Sequence, residues 1–282
     1  MLQPGDSFGD YRVVRLLGQG GMAAVFEVEH VRFGTRYALK TFMFEDEYAD
    51  VMKRRFLVEG KVLSRLCDRH IVRVFELNYD EASGTPYFVM DLVLGQDGNP
   101  HTLADVHAGE LDEVVLVRWF CELAQALDYI HSQGIVHRDI KLGNVLLGAD
   151  GRVVLSDFGI SRFTDSGLAG ELDAVRTTLD LRSSLRMVMG TSGFMAPEVR
   201  RGQGATAAAD SYSLGVMFVY LLTGMWYARG SKALQLLDGF DYAWSEVLPW
   251  LLKEEPDARV TDLVSLAQRL RALREADGGS VS

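Results

Sequence analysis

A chain of 282 residues, 48% hydrophobic and 24% charged, has a globular composition, fits one or two domains and can bury a sizeable core. Its formal net charge of −10 argues against nucleic-acid binding, which needs a basic footprint. Two cysteines, Cys67 and Cys121, are too few for a disulfide framework. They point to a reducing compartment, and both read as buried small hydrophobes.

The start, Met1-Leu2-Gln3-Pro4-Gly5-Asp6, is polar and predicts no signal peptide. No apolar run approaches the roughly 18 residues of a membrane span. A cytoplasmic location without membrane contact within this chain is expected. Tyr11–Leu17 and Val25–His30 are β-prone runs around Gly18-Gln19-Gly20-Gly21-Met22-Ala23-Ala24. Glycines between two strands make a tight turn whose backbone amides can approach phosphates. Tyr37-Ala38-Leu39-Lys40 is a third strand, with a lysine closing an apolar run. Residues 49–67 have helical periodicity, and Phe56, Leu63 and Leu66 share a face with Glu59. An inward carboxylate needs a partner, because unpaired burial costs several kcal/mol. Lys40 is the natural one.

Ile71–Leu77 and Tyr87–Leu94 read as two further strands, Gly95–Pro100 as loop, and Leu111–Gln133 as a helix stopped by Gly134. Val145–Leu147 and Val153–Leu155 flank a Gly/Asp-Gly turn, which predicts a β-hairpin. Asn144 precedes the first of these strands and Asp157 follows the second. Pairing them brings an amide oxygen and a carboxylate to one end, a donor set that suits Mg²⁺. Asp139 and Lys141 lie just upstream. The histidines show no metal-ligand spacing. Residues 160–195 are polar and weakly periodic, with a short helix expected around 170–182. Asp210 reads as an N-cap of an apolar helix ending near Leu222. Leu263, Leu266, Leu270 and Leu273 form a helical core stripe.

His137-Arg138-Asp139-Ile140-Lys141-Leu142-Gly143-Asn144 followed by Asp157-Phe158-Gly159 resembles the catalytic loop and metal-binding motif of eukaryotic-type (Hanks-type) serine/threonine protein kinases, particularly the bacterial ones. Five polar positions keep order and spacing. The resemblance implies an α+β, bilobal kinase fold. A small five-stranded β lobe with one helix would span 8–93, a larger, mainly helical lobe 94–275, and a disordered tail 276–282.

The resemblance also assigns roles. Asp139 would orient and deprotonate the acceptor hydroxyl, and Lys141 would neutralise the moving phosphoryl group. Gly18, Gln19, Gly20 and Gly21 would cover the ATP phosphates, although Ala23 replaces the family's third glycine. Lys40, positioned by Glu59, would pair the α- and β-phosphates. Val25, Ala38 and Leu146 would also bind the nucleotide, Met90 would guard the back of the adenine pocket, and Asp91 and Val93 would bond the adenine through backbone. Asn144 and Asp157 would hold Mg²⁺, with Mn²⁺ as the alternative. His137 would be a structural ring stacked near Phe158.

Residues 160–195 would be a long activation segment with phosphosites among Thr177, Thr178, Ser183 and Ser184, and Arg138 would receive the phosphate. Gly190-Thr191-Ser192-Gly193-Phe194-Met195-Ala196-Pro197-Glu198 would hold the peptide substrate, with Thr191 bridging Asp139 and Lys141 and Glu198 paired to Arg259. Asp210 would anchor the catalytic-loop backbone. The function implied is transfer of the ATP γ-phosphoryl group to protein serine and threonine hydroxyls, with autophosphorylation, through a homodimer acting in trans. The alternatives are a pseudokinase scaffold and a small-molecule kinase. A scaffold of that kind usually lacks one of Lys40, Asp139, Asn144 or Asp157, and all four are present.

Overall fold

The computed structural model describes residues 2–20, 23–43, 49–158, 193–225 and 242–276. They divide into two compact units: Met1–His101 with Leu146–Ser156, and Thr102–Val145 with Asp157–Ser282. The expected boundary near residue 94 thus falls inside the first unit, which also takes the hairpin.

In the first unit, six strands form an antiparallel sheet: β1 (Ser7–Phe8), β2 (Tyr11–Gln19), β3 (Ala23–His30), β4 (Arg36–Phe42), β5 (Val74–Tyr79) and β6 (Pro86–Met90), ordered β1-β2-β3-β4-β6-β5. The five-strand expectation is corrected by β1, two residues that no periodicity announces. Phe8 is buried and packs edge-on against Tyr87 at 5.2 Å. One apolar cluster joins Phe8, Tyr11, Val13, Phe26, Leu39, Val89 and their neighbours. Alternation does the sorting, since successive side chains of a strand face opposite sides.

Helix α1 (Ala49–Leu63) is shorter than the predicted 49–67. After Leu63 the chain tightens into turns, Arg65 N–H to Val62 O and Leu66 N–H to Leu63 O. Cys67, past that end, is exposed, which corrects its reading as a buried hydrophobe; Cys121 is buried.

Strand β5 begins at Val74 rather than Ile71. Ile71 bridges Leu155, and Val72 N–H bonds Leu155 O at 2.9 Å. These residues join the hairpin of β7 (Val145–Leu147) and β8 (Val153–Leu155) instead of the sheet. Strand β6 stops at Met90, short of the predicted Leu94.

In the second unit, Asp112 caps α2 (Glu113–Ser132) by accepting Val114 N–H at 2.7 Å. Helix α3 (Pro197–Arg200) leads to α4 (Ala207–Thr223), which ends at Gly224 in the left-handed conformation. The N-cap of α4 is Thr206, so Asp210 lies inside the helix and not at its cap, correcting that reading. Helices α5 (Tyr242–Leu251) and α6 (Leu263–Ala276) complete the unit. Phe120, Phe218 and Trp244 interlock at its centre, with Phe218 and Trp244 stacked at 5.7 Å. Of the predicted stripe, Leu263, Leu266 and Leu270 are buried and Leu273 is half-buried. Residues 159–192 and 277–282 lie outside the described residues. They include Gly159, Thr177, Thr178, Ser183, Ser184, Thr191, the helix expected around 170–182 and nearly all of the expected tail.

Candidate active site

In the first unit, Lys40 on β4 and Glu59 on α1 form an ion pair at 2.6 Å, each side chain 12% exposed. The helical face explains Glu59, whereas Lys40 does not close its strand as expected but lies within β4, which runs on to Phe42. Lys40 Nζ also lies 5.4 Å from the Phe88 ring centre. Strand register sets Ala38 opposite Met90 and Val25 opposite Lys40. Opposed residues share a face of the sheet, so Val25, Ala38, Lys40 and Met90 lie on one side. Val72, Val93 and Val154 form a small buried cluster, against which Met90 and Leu146 pack. Val25, Ala38, Met90, Val93 and Leu146, named from the sequence for nucleotide binding, thus fall on one face or in that cluster. The Asp91 N–H is already given to Arg73 O at 3.0 Å, so its carbonyl is the backbone group suited to adenine.

The glycine turn begins as β2 ends. Gly18 pairs with Val25 and Gln19 with Ala24, and Gly20 N–H bonds Ala23 O at 2.8 Å. A Cβ built on Gly18 meets nothing within 4 Å among the described residues. The chain's own packing therefore does not demand glycine there, whereas close approach by a ligand would. Gly21 and Met22 lie outside the described residues.

In the second unit, the catalytic-loop residues converge on Asp139. Its Oδ2 accepts Lys141 Nζ at 2.7 Å and Asn144 Nδ2 at 2.9 Å. Asn144 Nδ2 also reaches Asp139 O at 2.8 Å and Asp157 O at 3.2 Å. The amide nitrogen is therefore spent on the protein, and the amide oxygen is the atom of Asn144 suited to a metal. Its companion is the Asp157 carboxylate, on a residue held at φ 51°. Two hard oxygen donors with substrate phosphates are a usual Mg²⁺ set. No cluster of three or more His, Cys, Asp or Glu ligands occurs among the described residues.

Asp210 organises this loop from below. Its carboxylate accepts the backbone N–H of His137 and of Arg138, each at 2.8 Å, and contacts His131 Nε2 at 2.9 Å. Arg138 sits at φ 70°, a conformation rare outside glycine, and costing on the order of 1 kcal/mol or more. The buried charge of Asp210 offsets that strain. His137 is fully buried, its ring 4.4 Å from Phe158, and its Nδ1 accepts Asp139 N–H at 3.3 Å. That is the ring packing against Phe158 expected from the sequence. Sequence reasoning missed His131, since nothing local marks a histidine whose partner is 79 positions away.

Further from the loop, Arg259 grips Glu198 at 2.6 and 2.8 Å, and its guanidinium lies 4.9 Å from the Tyr212 ring centre. This is the pair expected from the sequence. Phe194 is buried, as expected of a packing ring.

Known proteins place this arrangement. Residues 11–268 match the family model of the protein kinase domain. The chain is 37% identical over 228 residues to the serine/threonine-protein kinase PknJ of Mycobacterium tuberculosis, covering 79% of this chain and 35% of that protein. It is 32% identical over 230 residues to the serine/threonine-protein kinase PknD of Protochlamydia amoebophila, covering 76% of this chain and 23% of the relative. The chain therefore spans about a quarter to a third of these relatives. The Mycobacterium tuberculosis PknI kinase domain superposes with a TM-score of 0.65 at 26% identity, covering 97% of this chain and all of that domain. From the glycine turn to the Arg259–Glu198 pair, the α+β, bilobal chain belongs to the protein kinase domain family, with bacterial serine/threonine kinases as its relatives.

Proposed function

We propose that this chain transfers the γ-phosphoryl group of ATP to serine and threonine hydroxyls of proteins, with Asp139 as base and Lys141, Lys40 and Glu59 in support. The observation that carries the proposal is the convergence of Lys141 and Asn144 on one oxygen of Asp139, at 2.7 and 2.9 Å. Such a carboxylate is fixed in direction before substrate arrives, which is where enzymes gain most from positioning.

In the first unit, Val25, Ala38, Met90, Val93 and Leu146 would enclose adenine, with the Asp91 carbonyl accepting from its amino group. Gly18, Gln19, Gly20 and Gly21 would give backbone amides to the phosphates, and Lys40 would neutralise the α- and β-phosphates while Glu59 holds its ammonium. In the second unit, Asp139 would take the proton of the acceptor hydroxyl as its oxygen bonds to the γ-phosphorus and the bond to the ADP oxygen breaks. Lys141 would balance the charge of the group in transit. Asn144 and Asp157 would hold Mg²⁺ or Mn²⁺, which when bound neutralises phosphate charge.

Lysine two places after the aspartate is the serine/threonine pattern and supports those acceptors. Phosphorylation of the activation segment, in trans through a homodimer, extends this reading to Thr177, Thr178, Ser183 or Ser184, with Arg138 as the receiving cation. A cytoplasmic site of action is likewise part of the proposal. No helix among the described residues is long and apolar enough to cross a membrane.

The test is transfer of label from γ-labelled ATP with Mg²⁺ to a generic basic protein, natural chain against Asp139→Asn. Label should pass with the natural chain and fall by roughly 10²-fold or more in the variant. Equal labelling by both would remove Asp139 from the chemistry.

A further inference from the structure

We propose that Arg15 is a positioning residue for the nucleotide: it straps β2, the strand that enters the glycine turn, to the loop 95–99 that follows the adenine strand. The inference rests on the reading of this unit as an ATP site and adds a device that no sequence motif marks.

The strap is a single guanidinium with three acceptors. Nε donates to Glu27 Oε2 at 2.6 Å, one terminal nitrogen to Asn99 Oδ1 at 2.9 Å, and the other to Gly98 O. Glu27 is buried, yet it already has a second cation, Arg36, at 2.6 Å. Neutralising Glu27 therefore does not by itself explain why Arg15 reaches the loop.

The position of Arg15 in the sheet gives the reason. Arg15 lies opposite Glu27, Glu27 opposite Ala38, and Ala38 opposite Met90. All four share the face that carries Val25 and Lys40, the face assigned to the nucleotide. The ladder between β2 and β3 is irregular on both sides of Arg15 and Leu16, with register shifts between Val13 and Arg15 and between Leu16 and Gly18. Such irregularities bend and twist a strand. A side-chain tie at Arg15 adds a hold between the two shifts, before backbone pairing resumes at Gly18 and Val25.

The anchor is itself closed by hydrogen bonds. Gly95 N–H bonds Asn99 O at 2.8 Å and Gly98 N–H bonds Gly95 O at 3.0 Å. Asp97 accepts both Asn99 N–H and Asn99 Nδ2, each at 2.9 Å, and contacts His101 Nε2 at 2.9 Å. Leu147 N–H on the hairpin bonds His101 O at 2.8 Å. A fork that grips two acceptors of a closed loop holds position as well as charge, which an ammonium cannot reproduce.

The proposed consequence is specific. Arg15 touches no reacting group, so its loss should weaken nucleotide capture and leave the chemical step alone. ATP titrations of phosphoryl transfer, and competition by adenosine, are compared for the natural chain, Arg15→Lys and Arg15→Ala, with thermal unfolding in parallel. Arg15→Lys keeps a cation for Glu27 and so controls for folding. The expected result is a rise of roughly tenfold in KM for ATP and in the adenosine inhibition constant for both variants, with kcat changed less than about twofold. A KM for Arg15→Lys within about twofold of the natural value, or a kcat that falls in step with binding, overturns the strap. If the natural chain transfers phosphate and the variants match it, the strap alone fails. If the natural chain neither binds nor uses ATP, the ATP reading fails and the strap with it.

Discussion

The Asp210 carboxylate accepts the backbone N–H of Arg138 at 2.8 Å, and Arg138 is one of two non-glycine residues with positive φ among the described residues. A charge buried in helix α4 thus sustains strain in the loop one residue before the proposed base. Replacing Asp210 with Asn removes the charge and at least one of the bonds that hold Arg138 at φ 70°. The expected outcome for Asp210→Asn is a drop in kcat of about 10- to 100-fold with KM for ATP little changed, because loop geometry and not nucleotide contact is lost. Steady-state kinetics on a variant with native circular dichroism reads this out. A kcat equal to that of the natural chain would show that the loop holds itself.

Lys40 and Glu59 should behave as a unit. The two side chains meet at 2.6 Å, so removing either takes a close partner of opposite charge from the other. We expect Lys40→Met to lower kcat/KM by roughly 10²-fold or more, and Lys40→Met with Glu59→Gln to be no worse than Lys40→Met alone. Additive losses in this double-mutant cycle would contradict a shared role.

Arg259 is a stability element. Its guanidinium has both Glu198 oxygens and the carbonyls of Lys253, Ala208 and Glu254 as acceptors. Arg259→Ala abandons a buried carboxylate and is expected to cost about 3–5 kcal/mol in denaturant unfolding. Arg259→Lys should recover only part of this, since an ammonium cannot serve five acceptors in a plane. Full recovery would mean that charge alone matters.

Glu27 gives a pH signature. Burial opposes its ionisation, but the hydrogen bonds from Arg15 and Arg36 outweigh it and hold its carboxyl below the ordinary glutamate value of 4.5. A carboxyl lowered in the folded state stabilises fully above that ordinary value and loses its contribution as pH falls through the lowered one. The gap in melting temperature between the natural chain and Glu27→Gln should therefore be widest near neutrality and close on acidification. A gap constant between pH 7 and pH 3 would indicate that packing, not charge, sets the difference.

Much of the site was legible because its signals are local. The Asp139-to-Asn144 spacing, the Asp-Gly turn that folds the hairpin, and the helical face that turns Glu59 inward are all set within a few residues by turn chemistry and periodicity. Boundaries were less legible. Ile71 and Val72 have strand composition, but the hairpin outcompetes the sheet for them, and the two residues of β1 are strand only because β2 offers them an edge.

The amino-acid order by itself determined which side chains could do the chemistry and how those close along the chain would group. The hold of Asp210 on two loop amides 72 and 73 positions back was implied by the family resemblance, but tertiary structure alone decided that Asp210 meets His131 at 79 and that Arg15 crosses 84 positions to a loop oxygen. The physical reason is that periodicity fixes the face a residue occupies, whereas the partner waiting there depends on strand register and loop closure, which only the folded backbone sets.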